Sequence, residues 1–226
     1  MKIEAVIFDL DGTLVDSRDL ILNSFHYACD TVLGRRLPDE QLLELVGVPL
    51  MEQMQTLAPD SAEELVQAYR ENNRLCHDEL IQYFPGTREV LAELAVAGLP
   101  MAVVTSKLHK FALAGLEIFN LEGYFEFLIG ADDCASHKPD PGPLLLAAER
   151  LGRKPARCVY VGDSPYDMRA AVAAGMRALG AQWGMFTPEE LTAAGAEQIA
   201  SDISDVPKAV RSFSRFSPAE LRAPQS

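Results

Sequence analysis

Two aspartates two residues apart, Asp9 and Asp11, close the first apolar run in the order Phe8-Asp9-Leu10-Asp11-Gly12-Thr13. An open parallel sheet presents its ligands beyond the carboxyl ends of its strands, so carboxylates there can act as nucleophile, general acid or cation ligand. Read alone, the same residues also fit a strand end followed by ordinary Asp-Gly turn chemistry. A second pair follows a later apolar run, in Val161-Gly162-Asp163-Ser164-Pro165-Tyr166-Asp167. Ser164, Pro165 and Asp167 match a helix start with a capping box, which accounts for Asp167 and leaves Asp163 without a structural reason.

Two further segments lie between these pairs. Val104-Thr105-Ser106-Lys107 offers hydroxyls and backbone N–H groups that could hold phosphate oxygens, or could simply cap a helix. His137-Lys138-Pro139-Asp140-Pro141-Gly142-Pro143 sets a lysine among prolines that restrict the backbone. An ammonium among several carboxylates would offset their repulsion and help bind phosphate, whereas a solvated turn lysine is the plain alternative. Acids at two strand ends, with oxygen ligands only, describe a site for a hard divalent cation. Magnesium is the expected ion, with Asp9 and Asp163 as side-chain ligands and Asp167 one step behind them.

Positioning these groups requires strands that end at one edge. Apolar, β-branched runs at 3–8, 101–105, 125–129 and 158–161, with a weaker one at 178–181, alternate with helix-like sequence. That alternation predicts an α/β fold, a doubly wound, Rossmann-like parallel sheet with helices on both faces. The stretch from about Ser17 to Tyr83 reads as helices only, with Leu20, Ile21, Phe25, Ala28 and Val32 at helical spacing, and is expected to be an inserted helical cap. The link near Val15 to Ser17 and the return through Pro85-Gly86 would form its two hinges. The division expected is a core of 1–15 with 84–210, a cap of 16–83, and a loosely held tail of 211–226 rich in Ser, Arg and Pro.

With 226 residues, 48% of them hydrophobic, the chain can bury a sizeable core. Its four cysteines have no CxxC spacing, which suggests neither a disulfide framework nor a zinc site. No run is long and apolar enough for a membrane span, and no leader peptide is evident, so a cytoplasmic location is expected. A net charge of −13 argues against nucleic acid as a partner and requires a locally cationic site for an anionic substrate. The sequence does not reveal an oligomeric state.

Taken together, the four segments resemble the motifs of the haloacid dehalogenase superfamily, specifically its phosphatases with a helical cap inserted after the first motif. DxDGT is met by Asp9 to Thr13, the strand-ending Thr or Ser by Thr105, the lysine by Lys138, and GDxxxD by Gly162 to Asp167. The resemblance implies that Asp9 is the nucleophile and Asp11 the acid and base, with Lys138 assisting. It also implies that Asp11 joins Asp9 and Asp163 at the metal through its main-chain carbonyl. Gly12, Thr105, Ser106, Lys107 and Lys138 are implied on the substrate side. Ser106 stands where these phosphatases often carry asparagine.

Within the superfamily the chain is most similar to phosphoglycolate phosphatases and to the pyrophosphatases associated with phosphoserine-HPr. The implied substrate is a small phosphate monoester, phosphoglycolate first, with inorganic pyrophosphate as the alternative. A sugar phosphomutase and a non-hydrolytic phosphoaccepting signalling domain rank below. Arg35, Arg36, Arg70, Arg74, His77 and Lys107 are the candidates for meeting a substrate's second anionic group.

Overall fold

The computed structural model describes residues 2–214. Six strands form one parallel sheet. They are β1 (Ala5–Phe8), β4 (Met101–Val104), β5 (Leu128–Ile129), β6 (Cys158–Gly162), β7 (Arg177–Ala181) and β8 (Gln198–Ala200), in the spatial order β5-β4-β1-β6-β7-β8. The strand that carries Asp9 therefore lies at the centre, between β4 and β6. The chain leaves β1 for β4 on one side and reaches β6 on the other, which opens the crevice that such sheets use for ligands.

Both faces of the sheet are covered, as buried parallel strands require. Val6, Phe8, Val103, Val159 and Val161 point to one side. There they pack with α5 (Thr87–Val96), α6 (His109–Ile118) and α10 (Val206–Phe213). Ala5, Ile7, Val104 and Tyr160 point to the other. There they meet α7 (Gly142–Arg150), α8 (Pro165–Ala174) and α9 (Pro188–Ala193). The period-two alternation along β1 and β6 thus fills two cores at once.

Between β1 and α5 the chain forms α1 (Arg18–Ala28), α2 (Asp39–Leu43), α3 (Leu50–Leu57) and α4 (Ala62–Leu80). These helices share a core of their own around Phe25, Leu42, Met54 and Leu65, and Phe25 meets Tyr69 edge-on at 5.2 Å. The chain enters and leaves them through a two-stranded antiparallel ribbon. In it β2 (Val15–Asp16) pairs with β3 (Gln82–Tyr83). Gly86 follows at φ 91°, a left-handed conformation open to glycine at the N-cap of α5.

Three expectations change. The run 125–129 supplies only two strand residues, because a 3₁₀ turn at Glu122–Tyr124 feeds the chain into a sheet edge whose one neighbour is β4. The opposite edge strand, β8, has three residues, too few for a periodic signal in the sequence. Finally, α10 runs past 210 to Phe213, whose ring is buried in the core, so the packed chain extends beyond the expected start of the tail. The rest of that expected tail lies outside the described residues. Among the described residues no helix is long and apolar enough to cross a membrane.

Candidate active site

The carboxyl ends of β1, β4 and β6 converge on a cavity of about 330 Å³. Asp9, Asp11, Thr105, Ser106, Lys107 and Asp163 line its floor, and α1, the loop 46–49, α3 and α4 contribute the wall above.

Asp9 extends β1 by one residue, its N–H donating to the Val161 carbonyl at 2.8 Å. Its side chain is buried, and the Lys138 ammonium forms an ion pair with Oδ1 at 3.0 Å. That oxygen has no angularly sound hydrogen bond. Burial pushes the Asp9 carboxyl up to about 7; Lys138 opposes the rise and Asp167 adds to it.

Asp163 follows β6 and is also buried. The Thr13 hydroxyl donates to its Oδ1 at 3.3 Å and the Met185 N–H to its Oδ2 at 2.8 Å. Burial raises its carboxyl well above the ordinary aspartate value, and Asp167 and Asp9 raise it further.

Asp167 is wholly buried and fully engaged. It completes the capping box, with its N–H donating to Ser164 Oγ and the Ser164 N–H donating to Asp167 Oδ2 at 3.0 Å. Its Oδ1 accepts from Lys138 Nζ at 2.6 Å.

Oxygens of Asp9, Asp163 and Asp167 lie within 4.8 Å of one another. Three buried carboxylates face a single ammonium, and the cluster offers oxygen donors only. Such a set fits a hard divalent cation, which would offset the repulsion that raises Asp9 and Asp163. Each Asp167 oxygen has two donors within reach, whereas each Asp163 oxygen has one and Asp9 Oδ1 has only its ion pair, so Asp9 and Asp163 keep the freer lone pairs toward such an ion.

Asp11 departs from this cluster. Its side chain turns to Lys107, whose Nζ donates to Oδ1 at 2.9 Å. The Asp11 carboxylate thus faces a cation.

The threonine-serine segment also differs from a helix cap. Helix α6 begins three residues later with Leu108 as its N-cap. Thr105 Oγ1 instead accepts from the Lys107 N–H at 3.2 Å, and the Ser106 hydroxyl donates to the Gly47 carbonyl at 2.7 Å. Ser106 therefore ties the core to the loop above the cavity.

Two residues expected on the substrate side do not line the cavity. Lys138 sits behind it, buried against Asp9 and Asp167. Gly12 lies beneath Asp163, where a Cβ would fall 2.2 Å from Oδ2, and its φ of 78° is itself left-handed. Of the candidate cations, Arg70 and Lys107 line the cavity, whereas Arg35, Arg36, Arg74 and His77 do not. His77 instead contacts its neighbour Asp78.

Sequence reasoning missed three participants. Gly184, in the loop after β7, approaches Asp163 so closely that a Cβ would lie 2.2 Å from the Asp163 Cβ. Its neighbour Trp183 donates to the Thr13 carbonyl at 3.0 Å. Tyr160, in the middle of β6, places its hydroxyl 3.1 Å from Lys138 Nζ. A buried tyrosine hydroxyl needs a partner, and that was the one available signal for Tyr160; nothing local marked Gly184 or Trp183.

Comparison with known proteins adds a lineage to this geometry. The haloacid dehalogenase-like hydrolase family matches residues 6–181. A protein of Caldanaerobacter subterraneus, named provisionally as pyrophosphatase PpaX, is 40% identical over 191 residues, covering 84% of this chain and 86% of that one. The pyrophosphatase PpaX of Halalkalibacterium halodurans is 34% identical over 177 residues, covering 78% and 82%. Among solved structures, a haloacid dehalogenase-like hydrolase family protein of Streptococcus pneumoniae superimposes with a TM-score of 0.81 at 28% identity, covering 92% of this chain and 98% of that one.

Proposed function

The chain belongs to the haloacid dehalogenase-like hydrolases, and from that premise we propose that it cleaves inorganic pyrophosphate with Asp9 as nucleophile. The observation that carries the choice of nucleophile is the position of Asp9. It is buried at the end of the central strand, on the floor of the cavity, with an Oδ1 that carries no hydrogen bond beyond its ion pair.

In the proposed first step an Asp9 carboxylate oxygen forms a bond to phosphorus while the bond from phosphorus to the leaving oxygen breaks. Asp11, on the same cavity floor, donates a proton to that oxygen. Water then attacks the aspartyl phosphate, Asp11 recovers a proton from it, and the Asp9 carboxylate is regenerated. Splitting one displacement into two steps lowers each barrier. Lys138, paired with Asp9 at 3.0 Å, orients the nucleophile and stabilises charge at it. Thr105, on the cavity floor, is placed to hold the phosphoryl group. Magnesium, held by Asp9 and Asp163, would supply positive charge for the transferring oxygens.

Pyrophosphate is preferred to phosphoglycolate on the strength of the relatives, two of which carry the pyrophosphatase name. Arg70 suits either substrate's second anionic group, since it lines the cavity, whereas Lys107 is already paired with Asp11. One observation keeps a carbon-bearing phosphate monoester as the second reading. Much of the upper wall is apolar, including Ile21, Val46, Val48 and Leu50, and an apolar wall gains nothing from a second phosphate.

The test is steady-state phosphate release with magnesium, comparing kcat/KM for pyrophosphate, phosphoglycolate, a hexose phosphate and an aryl phosphate. Pyrophosphate preferred by tenfold or more supports the proposal, and preference for a carbon-bearing ester transfers it to the second reading. Release from none of the four would overturn both.

A further inference from the structure

Among the described residues Lys138 is the one cation buried within the carboxylate cluster, and its Nζ carries three N–H groups. Three oxygens stand within reach: Asp9 Oδ1 at 3.0 Å, Asp167 Oδ1 at 2.6 Å and Tyr160 Oη at 3.1 Å. The shortest of these contacts draws the ammonium toward Asp167, away from the nucleophile. Tyr160 is the only neutral partner of the three, and it comes from the neighbouring strand rather than from a motif.

The phenol is anchored in its turn. Its ring is fully buried in the core on one face of the sheet, which fixes its position, and its single proton has two acceptors in range. These are the Val104 carbonyl at 3.0 Å and Asp167 Oδ1 at 3.1 Å. Val104 is the last residue of β4, immediately before Thr105. Through one oxygen, Tyr160 therefore connects the end of β4, the helix-capping Asp167 and the lysine beside Asp9.

We propose that Tyr160 is a positioning residue: its hydroxyl holds the Lys138 ammonium between Asp167 and Asp9, so that the lysine stays on the nucleophile. This rests on Lys138 serving Asp9 as described above. With the hydroxyl removed, the ammonium loses its neutral partner and shifts toward Asp167, and the nucleophile loses its counter-charge. Substrate binding in the cavity, which neither Tyr160 nor Lys138 lines, is left as it was.

The test is a double-mutant cycle on the full-length chain with Y160F, K138A and both together, measuring kcat and KM for the best substrate of the panel and the thermal midpoint of each variant. Y160F keeps the ring, so its packing is retained. Its kcat is expected to fall by about tenfold to a hundredfold, the loss of one hydrogen bond to a charged group, with KM unchanged. In the K138A background the same substitution is expected to change kcat less than twofold, because the group it acts through is gone.

Wild-type kcat in Y160F would overturn the proposal, and so would losses that multiply in the double variant. A Y160F protein that does not fold would assign the hydroxyl to stability and overturn it too. If K138A alone retains full activity, the role given to Lys138 fails instead, which separates the two inferences.

Discussion

Gly184→Ala probes the site from outside its motifs. An added Cβ would lie 2.2 Å from the Asp163 Cβ and 2.5 Å from Oδ2, distances that something must move to relieve. The nearest atom is next to the backbone, not at the end of a flexible chain, so rotation of the carboxylate cannot clear it. Gly184 is not among the glycines with positive φ, so alanine adds no backbone strain and the effect is purely one of space. Overpacking of this kind costs about 1–3 kcal/mol. For a chain of this size that corresponds to a thermal midpoint lower by roughly 2–12 °C.

The same displacement pulls Asp163 from the Met185 N–H and from its place beside Asp9. The magnesium concentration for half-maximal activity is therefore expected to rise by about tenfold, the lower end of what disturbing a ligand's supports does. The assay is phosphate release against magnesium concentration, with thermal melts with and without the ion. A variant with an unchanged midpoint and an unchanged magnesium requirement would refute the steric reasoning. Asp163→Gly in the same background removes the contacted Cβ, so it should abolish the extra destabilisation.

Asp9→Asn is expected to lower kcat by at least about a thousandfold while the protein still melts cooperatively; turnover within tenfold of wild type removes Asp9 as nucleophile. Arg70→Ala should raise KM for pyrophosphate by about ten- to a hundredfold with kcat little changed, and should barely affect an aryl phosphate that lacks a second anionic group. Equal losses on both substrates would mean that Arg70 does not read that group. Asp163→Asn should leave the thermal midpoint in chelator equal to or above wild type but eliminate the upward shift that magnesium gives. A midpoint lowered in chelator by more than a few degrees would contradict the repulsion argued for that cluster.

What the sequence made legible was local. The placement of Asp9 and Asp163 at strand ends could be read because each directly follows a run of apolar residues, and that of Asp167 at a helix start because its capping partner Ser164 is three residues away. The helical insertion was visible in the spacing of Leu20, Ile21 and Phe25. What stayed hidden depends on contacts between distant segments. Lys107 reaches Asp11 across 96 positions, Ser106 reaches Gly47 across 59, and Trp183 reaches Thr13 across 170. No spacing rule reports such pairs. Arg36, Arg70 and Arg74 looked equivalent in the sequence, and only the folded chain distinguishes Arg70 as the one of the three that lines the cavity.

Burying carboxylates together is unfavourable, and Asp9 and Asp163 are both raised by burial and by their acidic neighbours. A fold selected for stability alone would separate them or replace them with amides. Asparagine would fit at 163, with its oxygen facing the Met185 N–H and its NH2 group facing the Thr13 hydroxyl, which can accept as well as donate. The surroundings instead crowd the acids together. Gly12 and Gly184 leave no space around Asp163, and Gly162 does the same for Asp167, where a Cβ would lie 2.5 Å from the Asp167 Cβ. Conformational freedom and packing are thus given up on three sides to hold negative charge where it is costly. Such a concentration of unfavourable choices supports the functional reading proposed above, in which a cation and an anionic substrate would recover the cost.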